Sequence, residues 1–197
     1  MAVVTVMPAV DAARFVPVFE MLERITIRLR SEKAQTTRLG FGTHRATTFG
    51  TVRTRTGTRV AVSRESKKHP AVCEALFSLG HELTPDFPFT SVHVNRNVQC
   101  PPHKDGRNIG SSMIVSFGSY AGCELVVEGT QYDTRHTPHI FDGSSHEHWN
   151  NPTLDGTKYS LVFYTTPPTG ARKPPKPPKP TSPRISAPNP EDVSLAQ

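Results

Sequence analysis

Cysteine is scarce in this chain: three residues in 197, Cys73, Cys100 and Cys123, at no repeating spacing. An odd, unpatterned set supplies neither a disulfide framework nor a zinc ribbon, and it suits a reducing compartment. No run of about 18 apolar residues occurs, which excludes a membrane-spanning helix by the length rule. The opening stretch "MAVVTVMPAVDAARFV" is mildly apolar but lacks a basic leading region and carries Asp11 early, which argues against a secretory signal. An intracellular protein, cytoplasmic or nuclear, is the expectation. Hydrophobic residues reach only 35%, too few for a chain packed from end to end, so part of it lies outside any core. The length allows one ordinary domain and a tail.

Acidic residues are short in one region above all. From Arg24 to Lys68 there are twelve Lys or Arg against two acids, Glu32 and Glu65, whereas from Asp86 to Thr166 five basic residues face eight acidic ones. A basic N-terminal part beside a slightly acidic remainder suggests a surface for polyanions, nucleic acid among them, although such runs are also common as solvated faces.

What the chain does contain is a pattern of two helices followed by short strands. Residues 9–31 read as a helix, with Phe15, Val18, Leu22, Ile25 and Leu29 on one stripe and Pro17 suited to a first turn. "TVRTRTGTRVAV" reads as a hairpin around Thr56-Gly57, and "HPAVCEALFSLGHEL" as a second helix burying Val72, Leu76, Leu79 and Leu83. Strands follow in "FTSVHVNRNV", "SSMIVSFG", "CELVVEG", "HTPHIFDG" and "KYSLVFYTT". In the first of these, Val92, Val94 and Val98 are expected on one side, with His93, Asn95 and Asn97 on the other. The fold class is therefore α+β, built on a β-sandwich or jelly roll. Residues 1–166 form the expected domain. Residues 167–197 hold ten of the nineteen prolines and little to bury, and read as a disordered, basic tail. Within it "RKPPKPPKP" fits the Arg-x-x-Pro-x-x-Pro pattern of SH3-type ligands, with a solvated linker as the plain alternative.

The chemistry starts at "CPPHKDG". His103 and Asp105 are one residue apart, so on an extended chain their side chains point the same way. A surface ion pair would account for such a pair alone; a metal site needs a third ligand, and His136, His139, His146 and His148 are all candidates. Two imidazoles and one carboxylate with open positions opposite suit Fe(II) in oxygen chemistry, and a zinc hydrolase can use the same set. Lys104 between the two ligands faces away from them, and Arg107 and Asn108 follow as candidate substrate-side residues. Further on, Lys158 opens the apolar strand "KYSLVFYTT" with Ser160 on its own side and Tyr159, Leu161 and Phe163 on the other. A lysine buried there needs an anionic partner; one that snorkels to water does not.

Together these residues resemble the Fe(II)/2-oxoglutarate-dependent dioxygenases. His103-x-Asp105, then His148, then Lys158 ten positions later with Gly156 two residues before it, is similar in spacing to the prolyl 4-hydroxylases. "TKYSLVFY" resembles the last strand of the TET/JBP nucleobase oxygenases, with Lys158 where those enzymes have arginine. "NRN" at Asn95 to Asn97 resembles the Asn-x-Tyr of AlkB-type enzymes, with Asn97 in place of the tyrosine. The resemblance covers residues 88–166. It implies a double-stranded β-helix of the jelly-roll or cupin kind, with supporting N-terminal helices. It also implies Fe(II) held by His103, Asp105 and His148 (His146 being the alternative third ligand), and 2-oxoglutarate bound through Lys158, Ser160 and Asn95, with O₂ as co-substrate. The implied activity is hydroxylation of a C–H bond, on a nucleobase or methylated nucleic acid in one reading and on a protein, as in prolyl hydroxylation, in another. A non-catalytic binding module on the same fold is the third reading.

Overall fold

Period-two alternation along the last strand organises the molecule into two layers. The computed structural model describes residues 3–27, 45–54, 56, 59–105 and 108–168. Much of the basic stretch, Arg107, Leu29 and the proline-rich segment with its SH3-type pattern lie outside the described residues. In chain order the strands are β1 (Thr5–Val6), β2 (Arg45–Arg53), β3 (Val60–Val62), β4 (Ser91–Arg96), β5 (Ile109–Phe117) and β6 (Tyr120–Gly122). They continue as β7 (Leu125–Val127), β8 (Thr130–Tyr132), β9 (His139–Phe141), β10 (His148–Asn150), β11 (Thr153–Gly156) and β12 (Tyr159–Thr165). The helices are α1 (Val16–Arg24), α2 (Arg64–Lys68) and α3 (Pro70–Leu83).

Seven strands form one sheet in the order β1-β9-β5-β12-β4-β2-β3, antiparallel throughout, and two smaller sheets hold β10-β7-β8 and β11-β6. This mostly antiparallel layering with few helices is the jelly-roll kind of architecture expected. β2 and β3 form the expected hairpin, with Thr51 opposite Val62 and Arg53 opposite Val60.

On β12, Tyr159, Leu161 and Phe163 are almost wholly buried, and in register with them on β4 and β5 lie Val92, Val94, Met113, Val115 and Phe117. These side chains share one core with Phe15, Val18 and Leu22 from the N-terminal segment and Leu76, Leu79 and Leu83 from α3. Each large apolar side chain buried there contributes about 1.5–3 kcal/mol. The alternate residues of the same strands point to the other face, where the candidate site lies.

The N-terminal helix is shorter than the 9–31 its apolar stripe suggests. Asp11 caps a 3₁₀ turn over Ala12–Phe15, its carboxylate accepting the Ala13 N–H at 2.9 Å, and α1 then runs from Val16 with Pro17 in the first turn. It stops at Arg24, because Ile25 is extended at φ −103° and ψ 148°. α2 has no counterpart in the sequence reading: its five residues are too short for a periodic stripe, and Ser63 caps it by accepting the Ser66 N–H at 3.0 Å. Among the described residues no helix is long and apolar enough to cross a membrane.

α3 packs closely on β12 through a glycine. A Cβ at Gly80 would lie 2.6 Å from Phe163 Cε1 and 2.7 Å from Phe89 Cζ. Alanine is favoured over glycine in a helix by up to about 1 kcal/mol, but overpacking a filled core costs about 1–3 kcal/mol. Steric overlap with two rings wins here. Gly80→Ala should therefore lower stability by about 1 kcal/mol or more in urea denaturation, and a stabilised variant would show that the rings yield freely.

Candidate active site

After β4 the chain turns at Asn97, which has φ 51°, and runs through Pro101-Pro102 to His103. There it meets the start of β10. The His103 N–H donates to the His148 carbonyl and the His148 N–H to the His103 carbonyl, each at 3.0 Å. Two residues on, the Asp105 N–H donates to Gly143 O at 2.7 Å. The turn carrying Gly143 is held by Asp142, whose carboxylate accepts the Ser144 and Ser145 hydroxyls at 2.6 Å each; those bonds lower its pKa. At Gly143 a Cβ would come to 3.1 Å from His148 Cε1 and 3.4 Å from Asp105 Oδ2, so glycine leaves room for both side chains.

These backbone links bring His103, Asp105 and His148 together, with one donor atom from each within 4.8 Å of the others. His103 Nε2 is 3.7 Å from Asp105 Oδ1, and His148 Nε2 is 3.7 Å from Asp105 Oδ2. The Nδ1 atoms face backbone carbonyls, His103 to Pro101 O at 2.8 Å and His148 to His146 O at 3.0 Å. A carbonyl only accepts, so Nδ1 carries the proton and Nε2 of the neutral ring presents a lone pair. Two lone pairs and a carboxylate turned toward one another repel unless a proton or a cation lies between them. Two neutral imidazole nitrogens and a carboxylate fit a divalent transition metal.

His146 sits in the turn before β10 and not on a shared strand face, with Nδ1 3.5 Å from Glu128 Oε1. It reaches the group only through its backbone carbonyl, and the side chain brought to His103 and Asp105 is that of His148. His139, another candidate third ligand in sequence, is buried between β1 and β5 away from the group, and burial lowers its pKa. His136 stacks on Phe15 with ring centres 5.2 Å apart. Lys104 is exposed and donates to Ser145 O at 2.7 Å, a rim charge as its alternation implies.

The three residues line a cavity of about 440 Å³ between the large sheet and the smaller ones. Its floor is the second face of the core strands: Lys158, Ser160, Val162 and Tyr164 from β12 and its approach, and His93, Asn95 and Asn97 at β4. Val98 departs from expectation, because the left-handed turn at Asn97 ends the alternation and Val98 lines the cavity instead of joining Val92 and Val94. His93 is a fixed barrel residue, its Nδ1 2.8 Å from Thr48 Oγ1. Asn108 donates to Asp105 Oδ2 at 3.4 Å and Ser112 Oγ at 3.2 Å.

Lys158 is only 5% exposed. The preceding turn requires Gly156 at φ 80°, where any Cβ would overlap the Ser119 carbonyl. Asn97 then clamps the lysine backbone: its Oδ1 accepts the Lys158 N–H at 2.7 Å and its N–H donates to Lys158 O at 3.0 Å. From there Nζ donates to the Cys123 carbonyl, 5.2 Å from the Tyr120 ring centre. Asn95 is 8% exposed, and its Oδ1 has no hydrogen-bond partner. Ser160 is in register with Asn95. Thr48, Arg53 and Tyr164 also line the cavity. The sequence reading did not single them out, since only the non-local pairing of β2 with β4 puts Thr48 and Arg53 there.

Solved structures share this fold. NgTET1 in complex with 5mC DNA superposes with a TM-score of 0.59 at 13% identity, over 86% of this chain and 74% of that one. A 2OG-Fe(II) oxygenase family oxidoreductase from Burkholderia pseudomallei gives 0.51 at 15% identity, over 82% and 84%. OsALKBH1 gives 0.52 at 10% identity, over 84% and 97%. No protein-family model and no curated protein matches the chain. At these identities the likeness is one of fold.

The geometry separates the two nearby histidines experimentally. In an anaerobic Fe(II) titration, His148→Ala should weaken metal binding beyond the roughly 10- to 100-fold that loss of an outer partner costs. His146→Ala should keep most of the affinity, because the carbonyl that orients His148 survives the change. The reverse order would assign the third donor to His146.

Proposed function

We propose that residues 1–166 form an Fe(II)- and 2-oxoglutarate-dependent dioxygenase that hydroxylates a C–H bond of a nucleobase or methylated nucleic acid. The observation that carries this reading is the placement of the His103, Asp105 and His148 group in the same cavity as a buried lysine. His103, Asp105 and His148 would hold the iron, and the carbonyls of Pro101 and His146 keep both rings in the tautomer that can ligate. Bound Fe(II) supplies the place where 2-oxoglutarate and O₂ react, giving succinate and CO₂ as one oxygen atom passes to the substrate.

Lys158 serves the co-substrate. The described partners of its ammonium are a neutral carbonyl and an aromatic face, and a buried charge so paired gains from a carboxylate. Ser160 and Asn95 lie on the same floor and complete the polar end of the cavity. Asn97 positions Lys158 through its backbone. The N-terminal segment and α3 support the large sheet from behind, which keeps the floor rigid. Asn108 steadies Asp105.

Positive charge on β2 and the segments that follow it supports the nucleic-acid reading. Arg53, Arg59, Arg64, Lys67 and Lys68 belong to β2, the β2–β3 connection and α2, and Arg53 itself lines the cavity. NgTET1, similar in fold, is a complex with 5mC DNA.

Succinate release with 5-methylcytosine DNA, methylated RNA and a proline-rich peptide, run in parallel, tests the substrate. Stimulation by nucleic acid alone is expected. Stimulation by the peptide alone would make the chain a protein hydroxylase, and absence of both Fe(II) binding and turnover would make it a binding module. For the co-substrate, a charge-assisted bond to a buried carboxylate contributes about 1.5–3 kcal/mol. Lys158→Ala should thus weaken 2-oxoglutarate binding roughly 10- to 150-fold while sparing Fe(II), measured by anaerobic titration. An unchanged dissociation constant would move the carboxylate partner elsewhere.

A further inference from the structure

On the reverse face of the large sheet, Arg45 on β2 and Arg96 on β4 stand directly opposite each other in register. Together with Glu23, Tyr159 and the backbone around Ile25–Ile27 they line a hollow of about 180 Å³. Like charges directly opposite on neighbouring strands repel. Among the described residues one carboxylate answers them: Glu23 Oε1 lies 3.4 Å from Arg96 and also accepts the Tyr159 hydroxyl at 2.6 Å. Burial, and then that bond to Glu23, push the Tyr159 pKa up, so the phenol stays a donor. Arg24 is turned to Glu20 on its own helix at 3.4 Å, and Arg45 gives an Nη1 hydrogen to the Ile27 carbonyl at 3.3 Å.

Two donors are left over. The Nε atoms of Arg45 and Arg96 are both buried and, among the described residues, neither has a hydrogen-bond partner. Buried unpaired donors are rare in native proteins, and a bound ion or water is one way such donors are satisfied. The trio of Arg45, Arg96 and Glu23 carries a net positive charge, so an anion relieves the repulsion as well as satisfying the donors, which water does not. Guanidinium forks match the oxygens of phosphate. The hollow is smaller than the 300–1,000 Å³ typical of organic ligands, which points to a small oxyanion.

We propose that this hollow binds inorganic phosphate through Arg45 and Arg96. Arg96 stands between Asn95 and Asn97, and Tyr159 between Lys158 and Ser160, so the phosphate would sit back to back with the cavity and separate from it. The test titrates inorganic phosphate into the full chain at constant ionic strength, with chloride as the reference salt, by calorimetry and by Tm. Saturable binding and a phosphate-dependent rise in Tm are expected. Arg45→Gln should weaken binding about tenfold or more, and so should Arg96→Lys, which keeps the charge but loses Nε. Glu23→Gln should strengthen it, by removing the competing carboxylate, and Lys158→Ala should leave it unchanged. Three results would each overturn the site: no effect beyond chloride, unaltered binding in both arginine variants, or loss of binding in Lys158→Ala, which would place the phosphate in the cavity.

Discussion

Two backbone hydrogen bonds between His103 and His148 hold the candidate site together. Forty-five residues apart in the chain, these histidines exchange N–H and carbonyl groups at 3.0 Å, and that exchange sets their rings 4.3 Å apart. A single such bridge is weak, since one hydrogen bond contributes about 0.5–1.5 kcal/mol net. It persists because both flanks are fixed: β10 pairs with β7 on one side, and Asp105 N–H anchors to the Gly143 turn on the other. The donor atoms thus depend on backbone register more than on side-chain packing. Glycine at 143 belongs to the same constraint, because a methyl group there would crowd the His148 ring at 3.1 Å and come into contact with Asp105.

The rest of the cavity follows from strands with two different faces. β4 and β12 are central in the large sheet, and each alternates between a dry core and a polar floor. On the dry face Val92, Val94, Leu161 and Phe163 are fully buried, and a one-residue slip would drive Lys158 and Asn95 into that core. Desolvating a lysine and an amide without partners costs far more than any gain from an alternative register. Polar residues on the floor therefore help to lock the register that places them, and the apolar residues behind do the same from the other side.

Much of this was legible in the sequence where the signal is local. The alternation in "SVHVN" and "KYSLVFY" put Asn95, Lys158 and Ser160 on one face before any pairing was known, and the stripe Val72, Leu76, Leu79, Leu83 marked α3. His103 and Asp105 showed as a pair because they are one residue apart. What could not be read depends on distant chain segments. The ten-residue step to Lys158 favours His148 over His146 by resemblance alone, whereas the bridge with His103 is what brings the His148 ring to the group. Thr48 and Arg53 reach the cavity through the β2–β4 pairing. Asn97 has strand-like neighbours, yet its left-handed φ of 51° ends β4, turns Val98 inward and aims its own amide at Lys158. The end of α1 is hidden for a related reason: Ile25 and Leu29 continue the helical stripe in sequence, but the chain is extended at Ile25 and Ile27 is buried on the core.

Tyr120 explains how the buried cation of Lys158 is tolerated. Its hydroxyl meets Ser116 Oγ at 2.8 Å, which fixes the ring. The Arg135 guanidinium lies 4.2 Å from the ring centre and donates to the Tyr120 carbonyl at 2.7 Å, while Lys158 Nζ is 5.2 Å from the same centre. One aromatic ring is thus shared by two cations, each gaining from its quadrupole when partly desolvated. Like charges held by a common ring raise the positive potential at that end of the cavity. The Cys123 carbonyl takes one ammonium hydrogen, and an ammonium has three, so the present contacts leave Lys158 only partly satisfied. A lysine's compact head can redirect its hydrogens without moving its stem, whereas a planar guanidinium would have to swing as a whole.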